Sequence, residues 1–249
     1  MTGISKANTL EVAGTPFEGT VALVTGSSRG IGKAVARKLA SLGAGVAICG
    51  RDAAALENTT NEIRLLGHPV CSQLADITKA SEVQALVQVT QEKLGPIRLL
   101  VNNAGIGRFG PVHEKNEEEW DLVLNTNLKS IFLVSRAVLP SMIRAGAGDI
   151  INISSLAGKN TFAGGGIYCA SKWGVQGLSG CMAEDLRGHG IRVSVICPGS
   201  VATEFSGRGL KDPQKVLTPD DVAHAVAMVV LQGPQSFISE VDLRPLAKP

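Results

Sequence analysis

Seven short apolar runs, each bounded by glycine, proline or polar residues, recur along the chain at 21–25, 46–49, 70–74, 97–102, 150–154, 193–197 and 237–243. Several, such as "VALVT" and "DIINIS", are near-continuous Val, Ile and Leu rather than strict alternation. A strand with both faces covered reads that way, because neither face meets water. Between the runs, apolar residues return at helical spacing and predict helices at 31–42, 53–66, 81–94, 117–144, 168–187 and 219–231. Strand–helix alternation predicts an α/β fold: a Rossmann-type doubly wound parallel sheet of about seven strands, with helices on both faces and right-handed crossovers. No repeat of about 20–50 residues and no low-complexity tract interrupts the series. One domain is therefore expected over 18–249, after a flexible N-terminal tail at 1–17.

At 249 residues the chain can bury a sizeable core in a single domain. Its 44% hydrophobic and 18% charged content is ordinary for a soluble globular protein. A net charge of +2, with no Lys/Arg run, argues against a nucleic-acid or anionic-membrane partner. No apolar stretch approaches a membrane span, and 1–17 lacks the basic start and apolar block of a signal peptide, so a cytoplasmic protein is expected. Five cysteines, an odd number without a Cys-x-x-Cys pair, fit a reducing compartment better than a disulfide framework. Cys49, Cys71 and Cys197 fall in or beside strand-like runs and read as small buried hydrophobes. The four histidines are scattered without ligand-like spacing, so no metal site is expected.

Directly after the first run comes "TGSSRGIG" (25–32), then a helix. Glycines at Gly26, Gly30 and Gly32 let the backbone turn sharply, approach a ligand and pack helix against strand. Such clusters also close ordinary turns, but this one stands between first strand and first helix of a repeating α/β chain, the context a dinucleotide-binding loop requires. Ser28, Arg29 and Ile31 then belong to the same loop, and the helix start offers free N–H groups to an anion. After the second run the chain reads "CGRD": Arg51 stands where an enzyme for the unphosphorylated ribose would place a carboxylate. Asp52 falls where the next helix begins and fits an N-cap. Arg29 and Arg51 together predict a 2′-phosphate, hence NADPH/NADP+ rather than NADH.

The sole tyrosine sits in "IYCASKWG" (167–174), four positions before Lys172. On a helix, Tyr168 and Lys172 share a face. A phenol has a reference pKa of about 10; a nearby ammonium is expected to lower it and make a usable acid or base. An isolated Tyr-x-x-x-Lys pair would more often be a core aromatic and a surface lysine, so its company matters. "DIINISSLAG" ends a buried strand with Ser154 and Ser155, at the sheet edge where open α/β folds bind ligands. "LVNNAG" (100–105) ends another with Asn103, Ala104 and Gly105, suited to close backbone approach. Cys169 adjoins Tyr168 but is expected to pack away from the site, since adjacent helical residues do not share a face.

With these residues the chain resembles the short-chain dehydrogenase/reductase superfamily from about residue 20 to 243, matching in order "TGSSRGIG", "NNAG", the Ser155 strand end and "YCASK". The resemblance implies that Tyr168 is the catalytic acid/base, that Lys172 lowers its pKa and binds the nicotinamide ribose, and that Ser155 polarises the carbonyl. It implies that Asn127, in "NTNLKS", anchors a water in the proton relay. Asp76, with Ile77 in "ADIT", matches the adenine side, while Asn103, Ala104 and Gly105 line the cofactor cleft. "CPGSVAT" puts Pro198, Gly199, Val201 and Thr203 beside the nicotinamide. The resemblance also implies a homotetramer, with a dimer as the alternative, built on the helices at 117–144 and 168–187.

Within the superfamily the chain is most similar to β-ketoacyl carrier-protein reductases, which implies reduction of a 3-oxoacyl thioester on an acyl carrier protein or CoA. Gly146 and His189 stand where those reductases carry basic residues, and "SFISEVDLRPLAKP" replaces their glycine-rich end. A broad-specificity ketone/alcohol or steroid-type oxidoreductase of the same superfamily is the alternative. The short segment between Thr203 and Thr218, with Phe205, Gly207, Gly209 and Pro213, suggests an open substrate pocket. Outside the enzymes, a catalytically silent NADP(H)-binding regulator would show a broken Ser/Tyr/Lys set; here the set is complete.

Overall fold

The unbroken apolar runs form the inside of one seven-stranded sheet in which every pairing is parallel. In this computed structural model, which describes residues 14–206 and 215–247, the strands are β1 (Val21–Val24), β2 (Gly45–Gly50), β3 (Val70–Leu74), β4 (Ile97–Asn102), β5 (Gly148–Ile153), β6 (Ile191–Pro198) and β7 (Glu240–Leu243). Their order is β3-β2-β1-β4-β5-β6-β7. β1 is buried at all four residues, because helices cover both faces. One face packs α1 (Gly30–Ser41), α2 (Ala53–Arg64) and α7 (Pro219–Val230). The other packs α3 (Ala80–Leu94), α5 (Ser130–Ala145) and α6 (Gly166–Arg187), with α4 (Glu117–Leu124) leading into α5. The chain after β1 goes to one face and the chain after β4 to the other, so a crevice opens between them at the strands' carboxyl ends.

Local chemistry sets several element ends. Asp52 caps α2 by accepting a hydrogen bond from the Ala55 N–H at 3.1 Å, as expected. Thr218 and Asp221 form a reciprocal capping box at α7, with Pro219 in its first turn. Inside the sheet, Asn102 on β4 donates to the Asn152 Oδ1 on β5 at 2.9 Å and to the Ser135 Oγ at 3.2 Å. Asn152 donates in turn to the Ser179 Oγ at 2.8 Å. This buried polar chain ties the two strands that carry the site to α5 and α6. Asn152→Ala strips partners from buried groups at both ends and is expected to cost about 2–3 kcal/mol. Urea unfolding measures it directly.

Four expectations change. The helix at 117–144 is not uniformly α: a π turn, Asn125–Lys129, separates α4 from α5, and Asn127 lies within it. The same continuous run, Glu117–Ala145, is long and apolar enough to cross a bilayer, contrary to the sequence expectation. Half of its most apolar window is buried within the domain, which is how a core helix uses such a composition. The last strand begins at Glu240 rather than 237, because side chains have taken the backbone ahead of it. Gln232 accepts from the Ile238 N–H at 2.6 Å and Ser194 donates to the Ile238 carbonyl at 2.6 Å. Finally, Phe17 belongs to the core: it is buried and its N–H donates to the Leu42 carbonyl at 2.9 Å, so packing starts before residue 18. Residues 1–13 of the expected tail lie outside the described residues.

Candidate active site

The crevice holds a cleft of about 1800 Å³ whose floor is the loop between β1 and α1. Gly26 and Gly30 adopt positive φ, +62° and +57°, which only glycine does cheaply. A Cβ on Gly26 would stand 2.7 Å from the Ala104 Cα, so the loop lies directly against the end of β4. A Cβ on Gly32 would overlap the Gly26 carbonyl and the Asn103 amide. Arg29, the N-cap of α1, makes no side-chain cap, and no acidic residue stands in the first turn. The first N–H groups of α1 are therefore left for an anion in the cleft, which is what a pyrophosphate-binding loop needs. Ser28, Arg29, Gly30 and Ile31 line the cleft; Gly32 shapes the loop from behind.

At one end of the cleft, Arg29 and Arg51 both line the wall. Arg29 Nη1 lies 3.5 Å from Glu204, with both side chains largely exposed, and Arg51 is exposed. The one carboxylate just beyond β2, Asp52, is engaged as the α2 cap. Asp76 and Ile77 line the same end. Partial burial works against ionising Asp76, yet two hydrogen bonds from Thr78, with Lys79 and Arg51 nearby, hold its carboxyl below the usual range. Across the cleft, Asn103 donates to the Thr25 and Gly26 carbonyls at 2.9 and 3.0 Å, and Ala104 and Gly105 follow it along the wall. Thr25, not anticipated from the sequence, receives the N–H groups of Asn103 and Ala104 on its hydroxyl.

The chemistry-bearing residues converge at the other end. Tyr168 and Lys172 lie on α6, buried and facing β5. Ser155 ends the β5 segment: its hydroxyl accepts from the Ala157 N–H at 3.1 Å, reaches the Pro198 carbonyl at 3.4 Å, and bonds the Tyr168 phenol. Ser154 instead turns to the Lys172 carbonyl at 3.3 Å, so of the two serines Ser155 meets the phenol. The Lys172 ammonium donates to the Ile153 carbonyl at 2.8 Å and lies 5.9 Å from the centroid of the Tyr168 ring. Asn127 is fully buried. It accepts from the Ile106 N–H at 2.8 Å and donates to the Ile106 carbonyl at 2.9 Å and the Ser171 hydroxyl at 3.0 Å. The residue thus clamps the Gly105–Ile106 backbone, which passes between Asn127 and the lysine. Pro198, Gly199, Val201 and Thr203 line the cleft beyond β6, with Gly199 held by the Leu243 carbonyl at 2.8 Å.

Burial corrects the expected acidity of the pair. It pushes the Tyr168 phenol up to about 12, the Ser155 hydrogen bond pulling weakly the other way, and it lowers Lys172 to about 8. The anticipated lowering of the phenol by the lysine is not what sets its acidity: both groups are cut off from water, and each then disfavours its charged form. A phenol so placed stays protonated through the neutral range.

Sequence reasoning passed over Phe109 and Phe162, which edge the cleft beside Tyr168; glycines flanking both segments were the available signal. Cys169, as expected, turns away: its thiol points to the Asn160 carbonyl at 3.7 Å. Among the described residues, Cys197, Glu240 and Asp242 form one group with metal-ligand spacing, but the Lys159 ammonium bridges the two carboxylates at 2.8 and 2.7 Å. Gly207, Gly209 and Pro213 lie outside the described residues.

Comparison with known proteins gives this geometry a family. The family model for the short chain dehydrogenases matches residues 20–213. The 3-oxoacyl-acyl-carrier-protein reductase FabG of Vibrio cholerae is 36% identical over 224 residues, covering 86% of this chain and 90% of that protein. A glycine betaine reductase of Emericella nidulans is 33% identical over 94% of this chain, which spans 19% of its length. A metagenomic short-chain oxidoreductase solved in complex with NADP superimposes with a TM-score of 0.83 at 44% identity, covering 93% of this chain and 99% of that one. An alcohol dehydrogenase from the archaeon Thermococcus sibiricus, complexed with 5-hydroxy-NADP, gives 0.87 at 30% identity over 92% and 98%. With the glycine loop, the Asn103–Gly105 wall and the Ser155–Tyr168–Lys172 cluster in place, the chain belongs to the short chain dehydrogenase family of oxidoreductases.

Proposed function

We propose that the chain is an NADP(H)-dependent carbonyl reductase that makes a secondary alcohol from a ketone. The observation that carries this reading is that Ser155, the buried Tyr168 and Lys172 come together in one cleft with the glycine loop between β1 and α1. When bound, the dinucleotide supplies a hydride at C4 of its nicotinamide. Tyr168 donates its proton to the carbonyl oxygen, and Ser155 and Tyr168 share the developing negative charge. Lys172, with its ammonium 5.9 Å from the Tyr168 ring centroid, is the group that returns a proton toward the phenol, while Asn127 holds the Ile106 segment that walls in the lysine. Gly26, Ser28, Gly30, Ile31 and Gly32 cradle the pyrophosphate; Asp76 and Ile77 bound the adenosine side, and Asn103, Ala104 and Gly105 form the wall that runs from the glycine loop to Lys172. Pro198, Gly199, Val201 and Thr203 back the nicotinamide.

The NADP(H) preference rests on Arg29 and Arg51 at the adenosine end, on the engagement of Asp52 as a helix cap, and on similarity to two proteins solved with NADP or its 5-hydroxy form. A charge-assisted hydrogen bond at such a site is worth roughly tenfold in affinity. Arg29→Ala and Arg51→Ala should each cut the NADPH-over-NADH ratio of kcat/KM by about that factor, and the double variant should abolish most of it.

The finer substrate reading is a 3-oxoacyl thioester, supported by likeness to FabG. Its test is NADPH oxidation against acetoacetyl thioesters of CoA and of an acyl carrier protein. Turnover of both ranks the carrier-bound chemistry first, and turnover of simple ketones alone favours the broad-specificity reading. We further read the protein as a cytoplasmic homo-oligomer. Five free cysteines and the half-exposed Trp120, Phe132 and Trp173 on α4, α5 and α6 support this, and light scattering on the purified protein tests the assembly.

A further inference from the structure

Three of the chain's six phenylalanines gather around its only tyrosine. Phe109 meets the Tyr168 ring at 5.4 Å between centroids and Phe205 meets it at 5.7 Å, both edge-on, at 67° and 60°. Phe162 leans on Phe109 at 6.1 Å. All three line the cleft beside the phenol. Phe162 is 50% exposed and Phe205 42%, so their apolar faces look into the cleft rather than into the core. Exposed rings clustered on a cavity wall signal an apolar ligand, because water gains nothing there.

The rings are seated, not loose. A Cβ on Gly107 would stand 2.6 Å from Phe109 Cε2 and 3.0 Å from Phe205 Cε1, and a Cβ on Gly165 would stand 2.7 Å from Phe162 Cζ. Each ring therefore lies close against bare glycine backbone, and together they give the cleft an aromatic wall beside the phenol. Straight chains gain little from such walls, whereas a second ring can make edge-to-face contacts.

We propose that Phe109, Phe162 and Phe205 form a subsite for a flat aromatic group attached directly to the reacting carbonyl, so that the substrate class is aryl ketones, 3-aryl-3-oxoacyl compounds included. This rests on the carbonyl-reductase reading above and names the substrate's apolar arm. Two edge-to-face contacts raise kcat/KM for an aryl over a methyl ketoester by at least about tenfold.

The test compares ethyl benzoylacetate with ethyl acetoacetate as NADPH-dependent substrates of the full chain and of Phe162→Ala and Phe205→Ala. Both side chains are substantially exposed, so the variants should fold, and circular dichroism checks that they do. The expected result is a benzoylacetate preference of about tenfold or more that falls several-fold in each variant. An equal or reversed preference in the natural sequence, or one that survives both substitutions, overturns the proposal. If neither ketoester is reduced, saturation-transfer NMR with 1-phenylethanol and NADP+ separates the two ideas. Transfer to the phenyl protons that is lost in Phe162→Ala keeps the subsite and rejects the reductase reading; no transfer overturns the subsite.

Discussion

Tyr168→Phe is expected to lower kcat for ketone reduction by about a thousandfold while leaving NADPH affinity within a few-fold. The substitution deletes one oxygen and keeps the ring, so the contacts with Phe109 and Phe205 remain. Ser155 keeps its bonds with Ala157 and Pro198. The cost in stability is that of one hydrogen bond, about 1 kcal/mol. A matching loss of cofactor binding and of fold would make Tyr168 structural instead. The acidity of the phenol adds a directional signature. With its pKa pushed up to about 12, Tyr168 is a proton donor throughout the neutral range. Reduction should show no loss of rate from its ionisation below strongly alkaline pH, whereas alcohol oxidation, which needs the phenolate, should speed up as pH rises. Initial rates in both directions across pH 6–10 check this.

Lys172→Met is expected to cost about a hundredfold in kcat and, at neutral pH, to stabilise the cofactor-free protein. Burial holds the folded-state pKa of Lys172 down to about 8, against an ordinary lysine value of 10.5. Below pH 8 the proton is on in both states, and keeping it in the folded protein costs about 3 kcal/mol. Between about pH 8 and 10.5 the unfolded chain binds the proton more readily than the folded one, so stability contributed by this site rises with pH. The variant loses that slope, less what is forfeited when the Ile153 carbonyl is left without the ammonium. Urea unfolding at several pH values should show the variant's advantage shrinking by about 2–3 kcal/mol between pH 7 and 10. An advantage independent of pH would mean that Lys172 is not held partly uncharged by burial. The lysine is thus kept in place at a thermodynamic cost, as a group used for chemistry often is.

Much of this was legible in the chain because the signals were local. Near-continuous Val/Ile/Leu runs marked several strands as covered on both faces, and all seven expected strands appear in one parallel sheet. The Asp52 cap was readable because an N-cap depends on the residues that immediately follow it. What escaped depended on tertiary context. A π turn shifts the helical phase by one residue around Asn127 without altering composition. The start of β7 was misplaced because Gln232 and Ser194 supply bonds to the residues before it, and side-chain substitution for a ladder leaves no hydrophobic pattern. The direction of the Tyr168 shift was misjudged because helical spacing reveals the lysine but not the burial. The aromatic group around the phenol comes from three segments far apart in sequence; the sequence places Phe205 near the substrate pocket, but nothing local joins Phe109 and Phe162 to it.

The most direct measurement of the central claim is the fate of a labelled hydride. NADPH carrying deuterium at both C4 positions of the nicotinamide would be incubated with the protein and a ketone panel of acetoacetyl thioester and ethyl benzoylacetate, followed by mass spectrometry and NMR of the products. The account predicts deuterium on the new carbinol carbon, with the hydroxyl proton taken from solvent and the yield collapsing in Tyr168→Phe. A folded protein that binds NADPH yet forms no deuterated alcohol from either ketone, or product formation untouched by Tyr168→Phe, would contradict it.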